Sequence, residues 1–328
     1  MNIAVIGGGS WGTALGQLLA GKGYSVHLLV RRAEQAEEMA ATRQNSRYLS
    51  GFTLAPTLSA TADAAHALYG AALVVLATPA QEMGMALQQL RPHIAPDASL
   101  VCASKGIEVA TLRPMREVVL EVLPGRGYAA LSGPSFAREV MEEKPTAVTL
   151  GCADEALGRS LCGVFSTAYF RTYWNEDVKG VELGGAFKNV IAIAAGIIDG
   201  MEAGTNSRAA LITRGLAEIM RLGAALGANP ATFMGLSCAG DLILTCTGAL
   251  SRNRQVGLAL GRGENLADIV KGLHMVAEGV KTTEAVCALG KKHGVELPIA
   301  FAMHRVMYAG LSPGNAIEEL MGRALREE

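Results

Sequence analysis

The chain has 328 residues, 50% of them hydrophobic and 18% charged, with a formal net charge of -1. This length exceeds what one hydrophobic core usually holds, so we expect two domains. The near-neutral charge excludes a general electrostatic attraction to nucleic acid or anionic lipid. An anionic ligand must therefore be bound by local groups.

Targeting and redox features indicate a cytoplasmic protein. The opening residues 1–6 lack the basic leader of a secretory signal. The longest apolar run, residues 190–198, has half the length that an integral membrane helix needs, so no such segment is predicted. Six cysteines without paired ligand spacing predict reduced packing residues and no metal site. They are Cys102, Cys152, Cys162, Cys238, Cys246 and Cys287. The oligomeric state is not determined by the sequence, and a homodimer stays open.

Short β-rich runs alternate with helix-like stretches in the first half, which predicts parallel βαβ units. The runs are residues 3–6, 25–30, 73–77, 100–103, 128–131, 147–150 and 168–173. After about residue 178 the β-branched runs give way to Ala- and Leu-rich segments with a period of 3.6 residues, which predicts helices only. We therefore expect an α/β domain over residues 1–177 and an all-α domain over residues 178–328.

A glycine motif lies between the first strand and the first helix. Gly7, Gly9 and Gly12 match G-x-G-x-x-G directly after the run 2–6 and before the helical stretch 13–20. Gly7 permits a tight turn, Gly9 lets the backbone approach a pyrophosphate, and Gly12 allows close packing of helix on strand. A glycine turn without a ligand is the alternative, but the order strand, motif, helix favours a Rossmann-type dinucleotide-binding domain.

Two arginines follow the second predicted strand, where the adenine ribose of a dinucleotide would lie. NAD-restricted sites usually carry an acidic residue there, whereas this chain has Arg31 and Arg32. Guanidinium groups suit a 2′-phosphate, so NADP(H) is expected to be accepted beside or instead of NAD(H). The alternative is that both arginines are solvated at the start of a helix.

Lys188 is the only ionisable residue between Glu182 and Asp199. Gly184, Ile191 and other small or apolar residues share its helical face, so we expect it in enclosed space. Burial lowers the pKa of a lysine and would let it exchange a proton near neutral pH. The alternative is a lysine whose long stem reaches water at a domain edge. The small and apolar residues around Lys188 favour a catalytic role for it over the structural one.

Three further clusters could bind anionic groups. Lys105 follows the strand at residues 100–103, at the sheet edge where ligands bind in open α/β folds. Residues 132–135 follow another strand and precede a helix, where backbone N–H groups can meet anionic oxygens. Arg252 and Asn253 suit a small phosphate. Each cluster also has an ordinary explanation as a surface lysine, a capped helix or a basic helix start.

The ordered motifs resemble those of the bacterial NAD(P)-dependent glycerol-3-phosphate dehydrogenases over nearly the whole chain. The matching blocks are SGPSFA at 132–137, LGGAFKNVIA at 183–192, LITRGLAE at 211–218, GDL at 240–242, SRN at 251–253 and VAEG at 276–279. The resemblance implies reversible hydride transfer from NAD(P)H to the C2 carbonyl of dihydroxyacetone phosphate. The product, sn-glycerol 3-phosphate, would supply glycerophospholipid synthesis.

The resemblance also assigns residues to roles. It implies that Lys188 is the proton donor and acceptor, with Asp241 beside it. The implied substrate contacts, besides these two, are Lys105, Gly133, Ser135, Ser251, Arg252 and Asn253. The implied cofactor contacts, besides the three motif glycines, are Ser10, Trp11, Arg31, Arg32, Lys105, Ala137, Arg252, Val276 and Glu278.

Two alternative functions remain open from the sequence. A related β-hydroxyacid-type dehydrogenase would share the nucleotide domain and a helix-borne lysine but bind a carboxylate substrate. A dinucleotide-binding sensor would bind the cofactor without catalysing a reaction, and Lys188 would then have only a structural role. An assay with dihydroxyacetone phosphate and each reduced cofactor separates these three functions.

Overall fold

The computed structural model describes residues 1–272 and 276–324. The chain folds into two compact units. The first unit contains residues 1–105 and 113–182, and the second contains residues 106–112 and the described residues from 183 onward.

The first unit is built on an eight-stranded sheet of order β3-β2-β1-β4-β5-β6-β7-β8. The strands are β1 (Asn2–Ile6), β2 (Ser25–Leu29), β3 (Leu58–Thr61), β4 (Leu73–Leu76), β5 (Ser99–Cys102), β6 (Tyr128–Ser132), β7 (Thr146–Gly151) and β8 (Phe170–Asn175). Strands β1 to β6 are parallel, β7 pairs antiparallel with β6, and β8 is parallel to β7. The strand order reverses between β1 and β4, which is where open α/β sheets bind their ligands.

Seven α-helices belong to the described part of this unit. They are α1 (Ser10–Gly21), α2 (Ala33–Thr42), α3 (Ala64–Leu68), α4 (Met83–Leu90), α5 (Met115–Val122), α6 (Ala137–Met141) and α7 (Glu155–Phe165). Alternate residues of β1 enter different apolar clusters, Ile3 and Val5 on one face of the sheet and Ala4 and Ile6 on the other. Both faces are therefore covered, as expected for a parallel sheet between helices.

The α/β class predicted from the sequence is confirmed, with two corrections. The strand β3 (Leu58–Thr61) was not predicted, because its sequence LSAT has a single large apolar residue. The parallel direction expected for the last two strands is wrong, since β6 and β7 pair antiparallel. Buried strands of either direction share the same apolar pattern, and mixed sheets often have antiparallel strands near an edge.

Every regular element of the second unit is helical within the described residues. The helices are α8 (Val178–Gly200), α9 (Thr205–Ala225), α10 (Pro230–Phe233), α11 (Asp241–Thr247), α12 (Arg252–Gly261), α13 (Leu266–Gly272), α14 (Glu278–His293), α15 (Pro298–Tyr308) and α16 (Pro313–Met321). A π-helical turn, Leu236–Gly240, leads directly into α11. Proline at the first position of α10, α15 and α16 fixes the helical φ where no N–H is needed.

Helix α8 begins within the first unit and continues as the core helix of the second. The first unit ends at Glu182, five residues after the predicted boundary at 177/178, because the helix runs through that boundary. The segment 106–112 joins the second unit, with Ile107 fully buried in its core. By length and hydropathy α8 could cross a membrane, but its apolar window is completely buried in the protein, as in a core helix.

Helices α8 and α12 cross at two pairs of glycines, Gly196 and Gly200 on α8 and Gly257 and Gly261 on α12. A Cβ atom at Gly196 would overlap the carbonyl oxygen of Arg254, and a Cβ at Gly257 would overlap that of Ile193. The backbones are therefore in direct contact. This glycine crossing sets where the start of α12 lies relative to α8.

Candidate active site

The glycine loop has a different constraint at each position. Gly7 has φ +115°, and a Cβ there would lie 2.7 Å from the carbonyl oxygen of Ala77. A Cβ at Gly12 would overlap the Gly7 carbonyl oxygen. At Gly9, by contrast, an added Cβ meets no described atom within 4 Å, and φ is -77°. The fold therefore requires Gly7 and Gly12, whereas the open space at Gly9 fits the approach of a ligand.

Four further predicted cofactor residues of the first unit lie at the start of α1 or between β2 and α2. Ser10 and Trp11 form the first turn of α1, and Ser10 Oγ donates to the Tyr48 carbonyl oxygen at 2.7 Å. Arg32 is the N-cap of α2. The Arg31 side chain is 83% exposed and lies 3.9 Å from Glu82, which is itself half exposed. This ion pair was not anticipated, and it involves one of the two arginines predicted to contact a 2′-phosphate.

Three predicted residues meet beyond β5 and β6. Lys105 Nζ donates to the Gly133 carbonyl oxygen at 3.1 Å, and Ser135 Oγ donates to the same oxygen at 2.9 Å. Gly133 has φ +148°, and a Cβ there would lie 2.8 Å from Val148 Cα. Ala137 begins the short helix α6 directly afterwards. The structure thus brings Lys105, Gly133 and Ser135 together at the carboxyl edge of the sheet.

Lys188 lies in the interior of the helical unit, as its apolar neighbours predict. The residue is 6% exposed, and Asp241, its ion-pair partner, is 2% exposed. Lys188 Nζ donates to Asp241 Oδ1 at 3.0 Å and to Thr245 Oγ1 at 2.6 Å. Thr245 Oγ1 in turn donates to the Asp241 carbonyl oxygen at 2.6 Å. These three side chains, the Lys188 cluster, form one connected network.

The Lys188 cluster has the chemistry of a proton donor. A buried lysine without a partner would be driven to its neutral form, whereas a carboxylate at hydrogen-bond distance stabilises the ammonium. The hydrogen bond to the Thr245 hydroxyl fixes the position of the Lys188 ammonium group. A charged, oriented ammonium in a desolvated position can hydrogen-bond to an oxygen and protonate it.

The predicted phosphate-binding residues form the start of α12. Ser251 is the N-cap, and its Oγ accepts from the Arg254 N–H at 3.2 Å. Arg252 Nη1 donates to the Val276 carbonyl oxygen at 2.8 Å. Burial lowers the pKa of the Arg252 guanidinium, and the charge of Glu278, the first residue of α14, opposes that shift. Val276 itself is half exposed.

The Asn253 side chain is engaged at both ends of its amide. Its Nδ2 donates to Asn189 Oδ1 at 2.9 Å, and its Oδ1 accepts from the Gly279 N–H at 3.0 Å. Asn253 thus connects α12 to α8 and to the start of α14. One Nδ2 hydrogen of Asn253 and the Ser251 hydroxyl hydrogen are not used in these bonds, so both side chains, with Arg252 and the first backbone N–H groups of α12, can donate to an anion.

Sequence comparison places these features in one family. The model of the NAD-dependent glycerol-3-phosphate dehydrogenase N-terminus matches residues 2–158, and that of the C-terminus matches residues 177–318. The chain belongs to this family. A glycerol-3-phosphate dehydrogenase [NAD(P)+] of Oleidesulfovibrio alaskensis is 56% identical, and both chains are covered completely. The corresponding protein of Nitratidesulfovibrio vulgaris is 57% identical with the same coverage.

A solved structure gives the same assignment for the fold. The crystal structure of glycerol-3-phosphate dehydrogenase from Coxiella burnetii is 39% identical, with a TM-score of 0.95. The alignment covers 98% of this chain and 99% of that one. The resemblance inferred from the ordered motifs is thereby confirmed, and with it the membership of an NAD(P)-dependent oxidoreductase family.

Two residues of the candidate site were not predicted from the sequence. Thr245 completes the Lys188 cluster, and its position four residues after Asp241 on α11 was an available signal, since such residues share a helix face. Asn189 faces Asn253 across 64 positions of the chain, and no local pattern marks that contact.

Proposed function

We propose that the protein interconverts dihydroxyacetone phosphate and sn-glycerol 3-phosphate with NAD(P)(H). The observation that carries the proposal is the buried Lys188, whose Nζ donates to both Asp241 and Thr245. The full-length relatives named glycerol-3-phosphate dehydrogenase [NAD(P)+] support this substrate over a carboxylate-bearing one. A non-catalytic sensor would not require a charged, desolvated lysine.

The glycine loop fits a dinucleotide cofactor. Gly9 leaves open space, Gly7 forms the turn, and α1 begins where its first N–H groups have no partner within the helix. A bound reduced nicotinamide would supply the hydride. Ser10, Trp11, Arg31 and Arg32 are the residues of this unit that we expect to contact the rest of the dinucleotide. Lys105, Gly133, Ser135 and Ala137 stay predictions from the family resemblance.

Lys188 would perform the proton chemistry of the reaction. As hydride reaches C2 of the ketone, negative charge develops on the carbonyl oxygen. The Lys188 ammonium hydrogen-bonds to that oxygen, stabilises the charge and delivers the proton. In the reverse direction the neutral amine accepts the hydroxyl proton. Asp241 stabilises the charged form of Lys188, and Thr245 orients it.

The start of α12 would hold the substrate phosphate. Arg252 and the first backbone N–H groups of α12 carry the positive potential, and Ser251 and Asn253 maintain the shape of this turn. Because the glycine crossing fixes α12 on α8, phosphate binding would place C2 at a set distance from Lys188.

The cellular setting is also part of the proposal. The described cysteines are unpaired by disulfides, which suits the reducing cytoplasm. There the product would supply the glycerol backbone of phospholipids. A homodimer is the oligomeric state that we would test first.

Steady-state assays with purified protein test this function. We expect oxidation of NADPH or NADH that depends on dihydroxyacetone phosphate, and no turnover with an α-keto or β-keto acid lacking a phosphate. Lys188→Ala should abolish nearly all activity, whereas Lys291→Ala, at an exposed position of α14, should leave it unchanged. Cofactor binding without turnover on any substrate would favour the sensor function instead.

A further inference from the structure

The carbonyl oxygen of Gly8, in the middle of the glycine loop, is held by two buried amide side chains. Gln35 Nε2 donates to it at 2.9 Å and Asn45 Nδ2 donates to it at 3.0 Å. Gln35 is 7% exposed and Asn45 is 1% exposed. Neither residue belongs to the motif, and both belong to the first unit.

Asn45 is the centre of this network. Its Nδ2 also donates to Thr13 Oγ1 on α1 at 2.8 Å, and its Oδ1 accepts from Gln35 Nε2 on α2 at 3.4 Å. Thr13 is fully buried. Asn45 therefore connects the glycine loop, α1 and α2 through polar contacts from which water is excluded, where such hydrogen bonds are strongest.

The direction of the Gly8 carbonyl determines the direction of the next N–H group. The described chain contains no cis peptide bond, so the Gly8–Gly9 peptide is planar and trans. The Gly9 N–H then points opposite to the Gly8 carbonyl, away from Asn45 and Gln35. An added Cβ at Gly9 would meet no described atom within 4 Å, so the space beside Gly9 that a side chain would fill is open.

We propose that Asn45 and Gln35 are positioning residues for dinucleotide binding: by holding the Gly8 carbonyl they aim the Gly9 N–H at the cofactor pyrophosphate. This inference rests on the proposed function insofar as the ligand is NAD(P)(H). Glycine has the largest conformational freedom of any residue, and three consecutive glycines, Gly7 to Gly9, would otherwise lose that freedom on ligand binding. The two amides fix the loop before the ligand arrives.

The test measures the Kd of NADPH and of NADH by calorimetry, independently of turnover. Asn45→Leu removes both donors without adding charge, and Asn45→Asp replaces the donors by a carboxylate oxygen in a similar shape. Both variants should raise the Kd of both cofactors about tenfold, as for the loss of one to two buried hydrogen bonds. The KM for dihydroxyacetone phosphate should change less than threefold. Gln35→Met, a milder variant for the case that Asn45→Leu does not fold, should raise the Kd about threefold.

Arg43→Ala is the matched control. Arg43 Nη1 donates to the Leu58 carbonyl oxygen at 3.1 Å, and Nη2 donates to that of Leu54 at 3.0 Å. Arg43 therefore stabilises the chain next to Asn45 without a hydrogen bond to Gly8. It should lower the unfolding midpoint and leave the Kd unchanged. If the folded Asn45 and Gln35 variants bind both cofactors like the parent, the inference is wrong and the network is only structural. A parent that binds neither cofactor would overturn the proposed function and this inference together.

Discussion

The glycine loop of the first unit and the Lys188 cluster of the second are built from different parts of the chain. The loop depends on main-chain geometry, with a turn at Gly7, open space at Gly9 and backbone contact at Gly12. The Lys188 cluster depends on three side chains whose charges and hydroxyl are buried together. A main-chain site is changed by adding atoms, whereas a side-chain site is changed by removing them. The predictions below use this difference.

Removing the Lys188 amine should have the largest effect. We expect Lys188→Ala to lower kcat by ~10² to 10⁴, the usual contribution of a positioned acid or base, with cofactor Kd unchanged. Lys188→Arg should not restore activity, because guanidinium stays protonated and differs in shape. A fall of only a few-fold would remove Lys188 from the mechanism.

The same substitution should also lower stability. It leaves Asp241, which is 2% exposed, without its ammonium partner, and breaking a buried ion pair costs about 3–5 kcal/mol. Adding Asp241→Asn to Lys188→Ala should recover much of that free energy of unfolding in urea while activity stays lost. Recovery of activity together with stability would mean that the lysine is structural.

Adding atoms at Gly9 should abolish cofactor binding and leave the fold intact. Gly9→Val places a branched side chain where the pyrophosphate approaches the loop, but φ is -77° and the space is free of described atoms. Calorimetry should show no binding at an unchanged unfolding midpoint. Gly12→Ala is the contrasting variant and should destabilise, because its Cβ would overlap the Gly7 carbonyl oxygen. Unchanged affinity of Gly9→Val would show that the motif is only a turn.

The glycine crossing extends the comparison into the helical unit, where added atoms should affect stability. Gly257→Ala forces α12 away from the Ile193 carbonyl oxygen, at a cost of ~1–3 kcal/mol typical of overpacking. Denaturant unfolding measures this loss. Gly272→Ala, on α13 with no described atom within 4 Å of the added Cβ, is the control and should change stability little. Equal effects of the two substitutions would contradict a tight crossing.

Glu182 is a buried carboxyl whose hydrogen-bond donors are a hydroxyl and a backbone N–H, in contrast to the ion-paired Lys188. Its Oε1 accepts from Tyr128 Oη at 2.5 Å and from the Arg116 N–H at 2.9 Å, while Oε2 has no hydrogen-bond partner among the described residues. Burial raises the pKa of the Glu182 carboxyl from 4.5 to about 7, and the hydrogen bonds oppose this only in part. The contribution of Glu182 to stability is therefore full below pH 4.5 and is lost as the pH rises to about 7.

Glu182→Gln should remove that dependence. The amide oxygen can keep both hydrogen bonds, and the NH₂ group takes the place of Oε2. At pH 8 we expect the variant to be more stable than the parent by about 1–3 kcal/mol, from ~1.4 kcal/mol per pKa unit. At pH 4 the two should be similar. Urea unfolding across this pH range measures the difference. If the free energies of unfolding of parent and variant change in parallel with pH, the ionisation of Glu182 does not destabilise the fold.

The smallest effect is expected at the exposed arginines. Arg31→Ala with Arg32→Ala should raise the KM for NADPH severalfold and that for NADH little, since only NADPH has a 2′-phosphate. High salt should do the same to the parent in milder form. Because Glu82 lies 3.9 Å from Arg31, Glu82→Gln should lower the KM for NADPH, and only when Arg31 is present. Equal changes in the KM for NADPH and for NADH would show that the two arginines are only solvated residues at the start of a helix.

Local patterns in the sequence predicted much of this molecule. The glycine motif, the lone lysine in an apolar helix and the change of periodicity near residue 178 each involve residues close together in the chain. They were sufficient for the α/β class, for the helical second half and for the burial of Lys188.

What could not be predicted depends on contacts between distant residues. The strand β3 is held by pairing with β2 and not by its own apolar pattern. The amide of Asn45 meets Gly8 across 37 positions, and Asn253 meets Asn189 across 64. The sequence predicted that the Asn253 side chain contacts phosphate, and only the folded arrangement shows that its amide also connects Asn189 and Gly279.

The glycine crossing of α8 and α12 limits how this enzyme family member could acquire new substrates. The two backbones touch directly, so no side chain remains there that mutation could shorten to let α12 slide. Any larger residue would separate the helices and move the start of α12 as a body. If the start of α12 holds the substrate phosphate as proposed, a longer or shorter phosphorylated ketone would have to be accommodated by changes elsewhere in the site, because this crossing fixes the spacing between Lys188 and the first turn of α12.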